Sequence, residues 1–193
     1  MGGSIQVYSA IVGNIDYPRN DIKVFTDLID INPRRSARKY KTLSHKYIEA
    51  DYSIWIDGNL QLKLPPEQII EELGEFDIAT IIHPIRDCVY QEAEAVKQLN
   101  KDLPEIVDAQ MARYRSDGYP EHNGMVASSM VVRKHTDKIK LLNEAWWNEI
   151  KTGSQRDQLS FNYVCWKLGI KYKLLSGEWQ NNKYYTYNQH YEI

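Results

Sequence analysis

The sequence predicts a single α/β domain with a mainly parallel central sheet flanked by helices on both faces. Three observations carry that expectation. Short apolar runs alternate with helical patterns along most of the chain, the order expected of strands joined by crossover helices. The run Tyr52-Ser53-Ile54-Trp55-Ile56-Asp57 is β-branched and aromatic, as a strand buried on both faces requires. Helix limits are marked by Asn32-Pro33 at one start and by Gly74, Gly118, Gly153 and Gly169 after others.

Taken in order, residues 5–13, 23–27 and 52–57 read as the first three strands. A helix between the last two starts at Pro33 with Asn32 as cap and is expected to run to Ala50. Tyr40, Leu43, Tyr47 and Ala50 make its buried stripe. Pro65-Pro66 opens a short helix that Gly74 closes, and residues 77–82 supply the next strand. Helical patterns follow at 89–100 and 104–116. Residues 125–132 form a strand interrupted by Ser128-Ser129, then come helices at 136–151 and 155–168 and a last strand at 170–175.

A chain of 193 residues suits one domain, taken as 5–193, with Met1-Gly2-Gly3-Ser4 read as a tag scar or flexible start. The net charge of -2 and pI near 6.2 argue against nucleic acid or an anionic membrane as partner. No apolar stretch approaches the roughly 20 residues that span a bilayer. Cys88 and Cys165 are far apart and outside any CxxC pair, so two buried thiols in a reducing, cytoplasmic setting are expected. Residues 179–193, rich in Tyr and Asn, read as a closing flap or as the edge of a longer parent chain.

The candidate site begins where the third strand ends. Ligands of open α/β sheets gather at carboxyl ends of strands, and Asp57 sits at such an end. Gly58 permits a tight turn, so Asp57 and Asn59 can turn oxygens toward one hard cation that carries a diphosphate, an Asp-x-Asn variant of Asp-x-Asp. The same residues are common turn formers. Ser9, Ala10 and Ile11, with Asp27, are expected on the same rim. Arg34, Arg38, Lys41 and His45 form a basic helix stripe that reads either as a phosphate clamp or as an ordinary solvated face. His83 and Arg86 end the fourth strand near the rim. Glu92 and Glu94 cannot share a helix face, so one at most acts. Asp157 opens a helix, where it is a candidate base or a dipole-complementing residue. His190 is a late candidate metal ligand.

At these residues the chain resembles a glycosyltransferase-like family with plant Golgi, bacterial and viral members, long catalogued as a domain of unknown function. The matching pieces are Ser9-Ala10-Ile11-Val12-Gly13, Lys41 with His45, Tyr52-Ser53-Ile54-Trp55-Ile56-Asp57-Gly58, Glu92-Ala93-Glu94-Ala95, Val131-Val132-Arg133-Lys134-His135 and Arg156-Asp157-Gln158-Leu159-Ser160-Phe161. The resemblance implies a GT-A-like, Rossmann-like fold, a nucleotide-diphosphate sugar donor and a divalent metal, Mn²⁺ or Mg²⁺. The chain is also similar to the small glycosyltransferase domain that chlorella viruses use on their major capsid protein glycan. That likeness implies a UDP-glucose or UDP-rhamnose donor, a glycan acceptor, the host cytoplasm and a larger multidomain parent.

The reading expected is then a metal-dependent glycosyltransferase. In it Ser9, Ala10, Ile11 and Asp27 receive the uridine, Asp57 and Asn59 hold the metal, and Arg38 and Lys41 support the diphosphate. His83 and Arg86 face the sugar or acceptor, and Asp157, then Glu92, orients or deprotonates the acceptor hydroxyl. Two other classes stay open: a metal-dependent nucleotidyltransferase, which would release pyrophosphate, and a non-catalytic carbohydrate-binding module using the 5 Trp and 14 Tyr.

Overall fold

Side chains of a strand alternate between its two faces, so each apolar run feeds two layers. The computed structural model describes residues 3–13, 16–177 and 182–189. Among them the strands are β1 (Ile5–Ala10), β2 (Lys23–Phe25), β3 (Tyr52–Ile56), β4 (Leu60–Leu62), β5 (Ile78–Ile82), β6 (Val126–Lys134), β7 (Lys173–Leu175) and β8 (Tyr185–Tyr187). The helices are α1 (Pro33–Thr42), α2 (Ser44–Tyr47), α3 (Pro66–Glu71), α4 (Val89–Gln98), α5 (Pro104–Ser116), α6 (Asp137–Thr152) and α7 (Gln158–Leu168). Six strands make one sheet in the order β2-β1-β3-β6-β5-β7, and β4 pairs with β8 in a second, two-stranded sheet.

Five strands of the main sheet run the same way; β6, at its centre, is antiparallel to both neighbours. The reversal follows from the helices before it. α4 and α5 form a pair that leaves the rim where β5 ends and returns to it, and the His83 N–H donates to the Met125 carbonyl at 3.0 Å. A strand that starts at this rim must run down. α6 and α7 are a second pair, so β7 is again parallel to β5. The turn between α6 and α7 is thereby carried to the rim.

The two layers are unequal. Tyr8, Trp55 and Val131 face a large core shared with side chains of α1, α4, α5, α6 and α7. Ile54, Ile56, Ala79, Ile81, Met130 and Val132 face a smaller one, closed by Ile69 and Leu73 and by Leu60 and Tyr185 of the small sheet. The expected mainly parallel sheet is present, whereas the second face is covered by α3 and a β-ribbon more than by helices. Both cysteines are buried and unpaired, and burial pushes the Cys165 thiol up.

The expected helix over 33–50 starts as read, with the Asn32 Oδ1 accepting from the Arg35 N–H at 2.8 Å. It breaks at Leu43 (φ -89°, ψ 41°) into α1 and α2 and gives way to extended backbone at Ile48. The Thr42 hydroxyl donates to the Arg38 carbonyl at 2.8 Å, competing with the helical bonds of that turn. The first, second and last strands are also shorter than expected, and α7 starts three residues later. β4 and β8, three residues each, are too short to show a pattern. Of the tail, residues 182–189 are described; 179–181 and 190–193 lie outside.

In β6 the pairing with β5 slips between Thr80 and Ile82, and Ser128 takes a positive φ of 54°. This irregularity, at the rim, turns Ser128 inward. On the neighbouring helix pair, the Trp146 indole N–H donates to the Asp157 carbonyl at 2.9 Å, tying α6 to the start of α7. Trp146→Phe removes the shortest bond to that carbonyl, which still accepts from the Phe161 N–H at 3.3 Å, and opens a small void. It should cost about 2 to 4 kcal/mol in urea unfolding, with the fold retained.

Candidate functional site

Carboxyl ends of parallel strands leave a crevice, and here Ala10, Asp57 and His83 continue β1, β3 and β5 into one cleft of about 660 Å³. The β6 irregularity at Ala127, Ser128 and Ser129 forms its floor. Arg34, Ala37, Arg38 and Lys41 of α1 line one side, and Arg156, Asp157 and Gln158 enter from the α6–α7 turn.

Asp157 is the hub. Its side chain is 2% exposed, with Lys41 Nζ 2.6 Å from one oxygen and Arg38 Nε 2.9 Å from the other. The Ser128 hydroxyl donates to it at 2.9 Å. Burial alone would raise its pKa, but Arg38 and Lys41, with Arg156 behind them, outweigh burial and hold the carboxyl well below the usual range. Lys41 is 1% exposed. Burial pulls its pKa down against the attraction of Asp157 and Asp57. The two shifts thus express opposite winners within one pair. The carboxylate's several cationic neighbours decide the matter, and the pair is charged. Asp157 makes no capping hydrogen bond to α7 among the described residues. Its side chain is spent on Arg38, Lys41 and Ser128 at the N-cap position, and a carboxyl held this far down keeps little affinity for a proton.

Lys41 also lies 3.7 Å from Asp57 and donates to Ser128 Oγ at 3.2 Å, so its ammonium is spent on holding other groups. Asp57 is further fixed by the Trp55 indole N–H at 2.9 Å, yet its side chain stays 34% exposed. Beyond it, a Cβ on Gly58 would meet Asp16 Oδ2 at 2.5 Å and Ile11 at 3.0 Å, so only glycine lets the Asp16 carboxylate close on this turn. The Asn59 amide donates to the Asn188 carbonyl at 3.1 Å, tying the turn to the tail. Asp57, Asp16 and Asn59 are oxygen donors suited to a hard divalent cation. Among the described residues no group of three or more His, Cys, Asp or Glu gathers around a point. A cation here would share its ligation with a bound diphosphate, the usual habit of Mg²⁺-like ions.

On the opposite wall Glu92 receives Arg86 at 2.8 Å and faces His83 Nε2 at 3.5 Å. His83 Nδ1 accepts from the Arg86 backbone N–H at 3.0 Å, which puts the neutral ring's proton on Nε2, toward Glu92. Burial holds His83 below its ordinary pKa, opposed by Glu92. Glu94 faces outward to Lys97, as the spacing required.

Of the residues singled out in the sequence, Ala10, Arg38, Lys41, Asp57, Gly58, Asn59, His83, Arg86, Glu92 and Asp157 line this one cleft. Ser9, Ile11, Asp27 and His45 do not. Ser9 is fully buried beneath the rim, and Ile11 backs Gly58. Asp27 is exposed past the end of β2. His45 follows the break at Leu43 and faces Glu144 at 3.1 Å and Asn143 at 3.2 Å, so the basic stripe does not act as a unit. His190 lies outside the described residues. Reasoning from sequence gave no role to Asp16, Lys101, Ser128 or Arg156; of these Ser128 left a signal as a polar break in an apolar strand, and Arg156 as part of the Arg-Asp-Gln-x-Ser-Phe block.

The linkage of Asp157 has a definite sign. Its folded pKa is depressed below an unfolded value of about 3.9, so its contribution is present above that value and is lost as pH falls toward the folded pKa. Asp157→Asn, which leaves Lys41 buried with Asp57 alone, should lose about 3 to 5 kcal/mol at pH 7. The gap to the wild type should narrow between about pH 4 and pH 2, as followed by urea denaturation at each pH.

Comparison with known proteins places the chain in a family. Residues 21–190 match the TOD1/MUCI70, glycosyltransferase-like domain. The chain is 32% identical over 150 residues to the probable hexosyltransferase MUCI70 of Arabidopsis thaliana, covering 72% of this chain and 26% of that protein. It is 24% identical over 157 residues to the alkaline ceramidase TOD1 of the same plant, covering 75% of this chain and 34% of that protein. The chain therefore spans about a quarter to a third of the length of these relatives. No solved structure matches it at a significant level. With the family match extending over most of the chain, it belongs to the TOD1/MUCI70 glycosyltransferase-like domain family.

Proposed function

We propose that this domain transfers a hexose from a nucleotide-diphosphate sugar to a glycan hydroxyl. The observation that carries the reading is Asp57: a partly exposed carboxylate at a strand end, braced by Lys41 and Trp55, opening on a cleft large enough for a nucleotide sugar. The family relation and the hexosyltransferase name of one relative support it. A UDP-glucose or UDP-rhamnose donor, with Mn²⁺ or Mg²⁺, fits the oxygen donors of the Asp57 turn. When bound, such a cation neutralises charge on the diphosphate. A capsid glycan in a host cytoplasm is the setting that the viral resemblance suggests.

The chain's own residues then divide the work. Asp57, with Asn59 and Asp16, would hold the cation, and Lys41 keeps Asp57 in place rather than touching the donor. Arg38, its Nε fixed by Asp157, sets a positive charge beside the departing UDP. The acceptor oxygen forms its bond to the anomeric carbon as the bond from that carbon to the phosphate oxygen breaks. Glu92, held by Arg86 and His83, is the carboxylate suited to orient the acceptor hydroxyl and take its proton.

Thermal-shift measurements with UDP, UDP-glucose and UDP-rhamnose test the reading: stabilisation should require Mn²⁺ or Mg²⁺ and vanish with a chelator. Asp57→Ala should lose that cation-dependent shift with the fold retained, its own melting temperature lowered by the loss of the Trp55 and Lys41 contacts. Failure of every nucleotide sugar to stabilise the protein would refute the proposal, and release of pyrophosphate instead of UDP would point to nucleotidyl transfer. Glu92→Gln should reduce transfer by roughly 10²-fold or more with UDP affinity unchanged, as compared by turnover and calorimetry.

A further inference from the structure

The cleft carries more positive charge than its carboxylates account for. Its lining holds six cationic side chains against four carboxylates, whereas the chain as a whole has a net charge of -2. Asp157 accounts for Arg38 and Lys41, and Glu92 accounts for Arg86. Arg34, Lys101 and Arg156 have no ion pair among the described residues.

Two of the three are held by neutral groups, and Lys101, like Arg34, is exposed at the mouth of the cleft. Arg34 donates to the Lys101 carbonyl at 3.2 Å, and Arg156 donates to the Gln158 side-chain oxygen at 2.7 Å. The Arg156 Nε is buried with no hydrogen-bond partner among the described residues. The cations also feel one another: burial and then Arg38 lower the Arg156 pKa against Asp157 and Glu92, while burial and then Arg156, with Arg86 and Arg34, lower that of Lys101 against Glu92. Asp157 and Glu92 offset these cations only in part and without contact, so the remaining like-charge repulsion raises the free energy of the empty cleft, and an anion that enters relieves it. Arg34 lies seven residues before Lys41, about 10 Å along α1, so this group is set apart from the Asp57 end.

We propose that the Arg34–Lys101–Arg156 end is a subsite for a sugar unit that carries its own negative charge. The inference rests on the glycosyltransferase reading, in which the diphosphate occupies the Asp57 end. The anionic unit is either the donor's hexose or a residue of the acceptor glycan, and the chemistry is the same: a carboxylate or similar group set against guanidinium and ammonium donors. The uncompensated charge at this end selects against neutral sugars, because they would leave the repulsion in place.

Calorimetry on the full chain tests this with two matched pairs: UDP-glucuronate against UDP-glucose, and a glucuronate-containing disaccharide against its carboxyl-reduced counterpart, the latter with and without UDP. The charged member of at least one pair should bind about tenfold more tightly or better, the first pair placing the charge on the donor and the second on the acceptor. That preference should disappear in the surface variant Arg34→Gln/Lys101→Gln and in Arg156→Gln, with UDP affinity in the former within about twofold of wild type. Equal binding within both pairs overturns the proposal, as does a preference that survives in both variants. A charged disaccharide preferred by a protein that does not bind UDP would support the subsite and refute the glycosyltransferase reading instead.

Discussion

A carboxylate buried with its charge intact is the constraint on which the rest of this structure depends. Removing Asp157 from water costs several kcal/mol unless cations and hydrogen bonds replace the solvent, and here Arg38, Lys41 and Ser128 do so. Each of those partners comes from a different place in the chain than Asp157 itself. The α6–α7 turn, helix α1 and the irregular start of β6 are therefore locked to one point. Through Lys41 the lock reaches Asp57, which is how an interior ion pair comes to govern the position of an exposed one.

Much of the fold was legible from sequence because its signals are local. Caps at Asn32 and Thr136 and the alternation of apolar runs depend on neighbours within a few residues. The direction of β6 is not such a property: its composition suits either orientation, and only the pairing of α4 with α5 decides it. The break at Leu43 was equally hidden, since the apolar stripe continues through Tyr47 and the competing Thr42 bond is a geometric event. The β4–β8 ribbon joins residues more than 120 positions apart through strands of three residues, below the length at which a period can be read.

The site was legible as a set of strand ends, and Asp57, His83 and Ala10 do converge. What sequence spacing concealed was the role of each charge. Lys41 and Arg38 share a helix face, which suggested two equivalent phosphate contacts, but Lys41 lies one turn deeper and is enclosed. Asp157 at a helix start invited the roles of base or cap; its three-dimensional neighbours make it an anchor. Ser128 drew notice as a polar break, and its positive φ gives that break a purpose.

The stretch between His83 and Met125 leaves and rejoins the sheet at one backbone hydrogen bond. Nothing in the register of β5 or β6 depends on how many residues lie between those two points. Lengthening the loops that flank α4 and α5 adds only loop-closure entropy, about 0.6 kcal/mol for each doubling of a loop. The stretch also carries Arg86, Glu92 and Lys101, the wall of the cleft opposite α1. The architecture thus separates a fixed half, built on Asp57 and Asp157, from a half whose rim residues can change while the core-facing sides of α4 and α5 stay. Descendants of one scaffold can exchange their partners there while the Asp57 end stays unaltered.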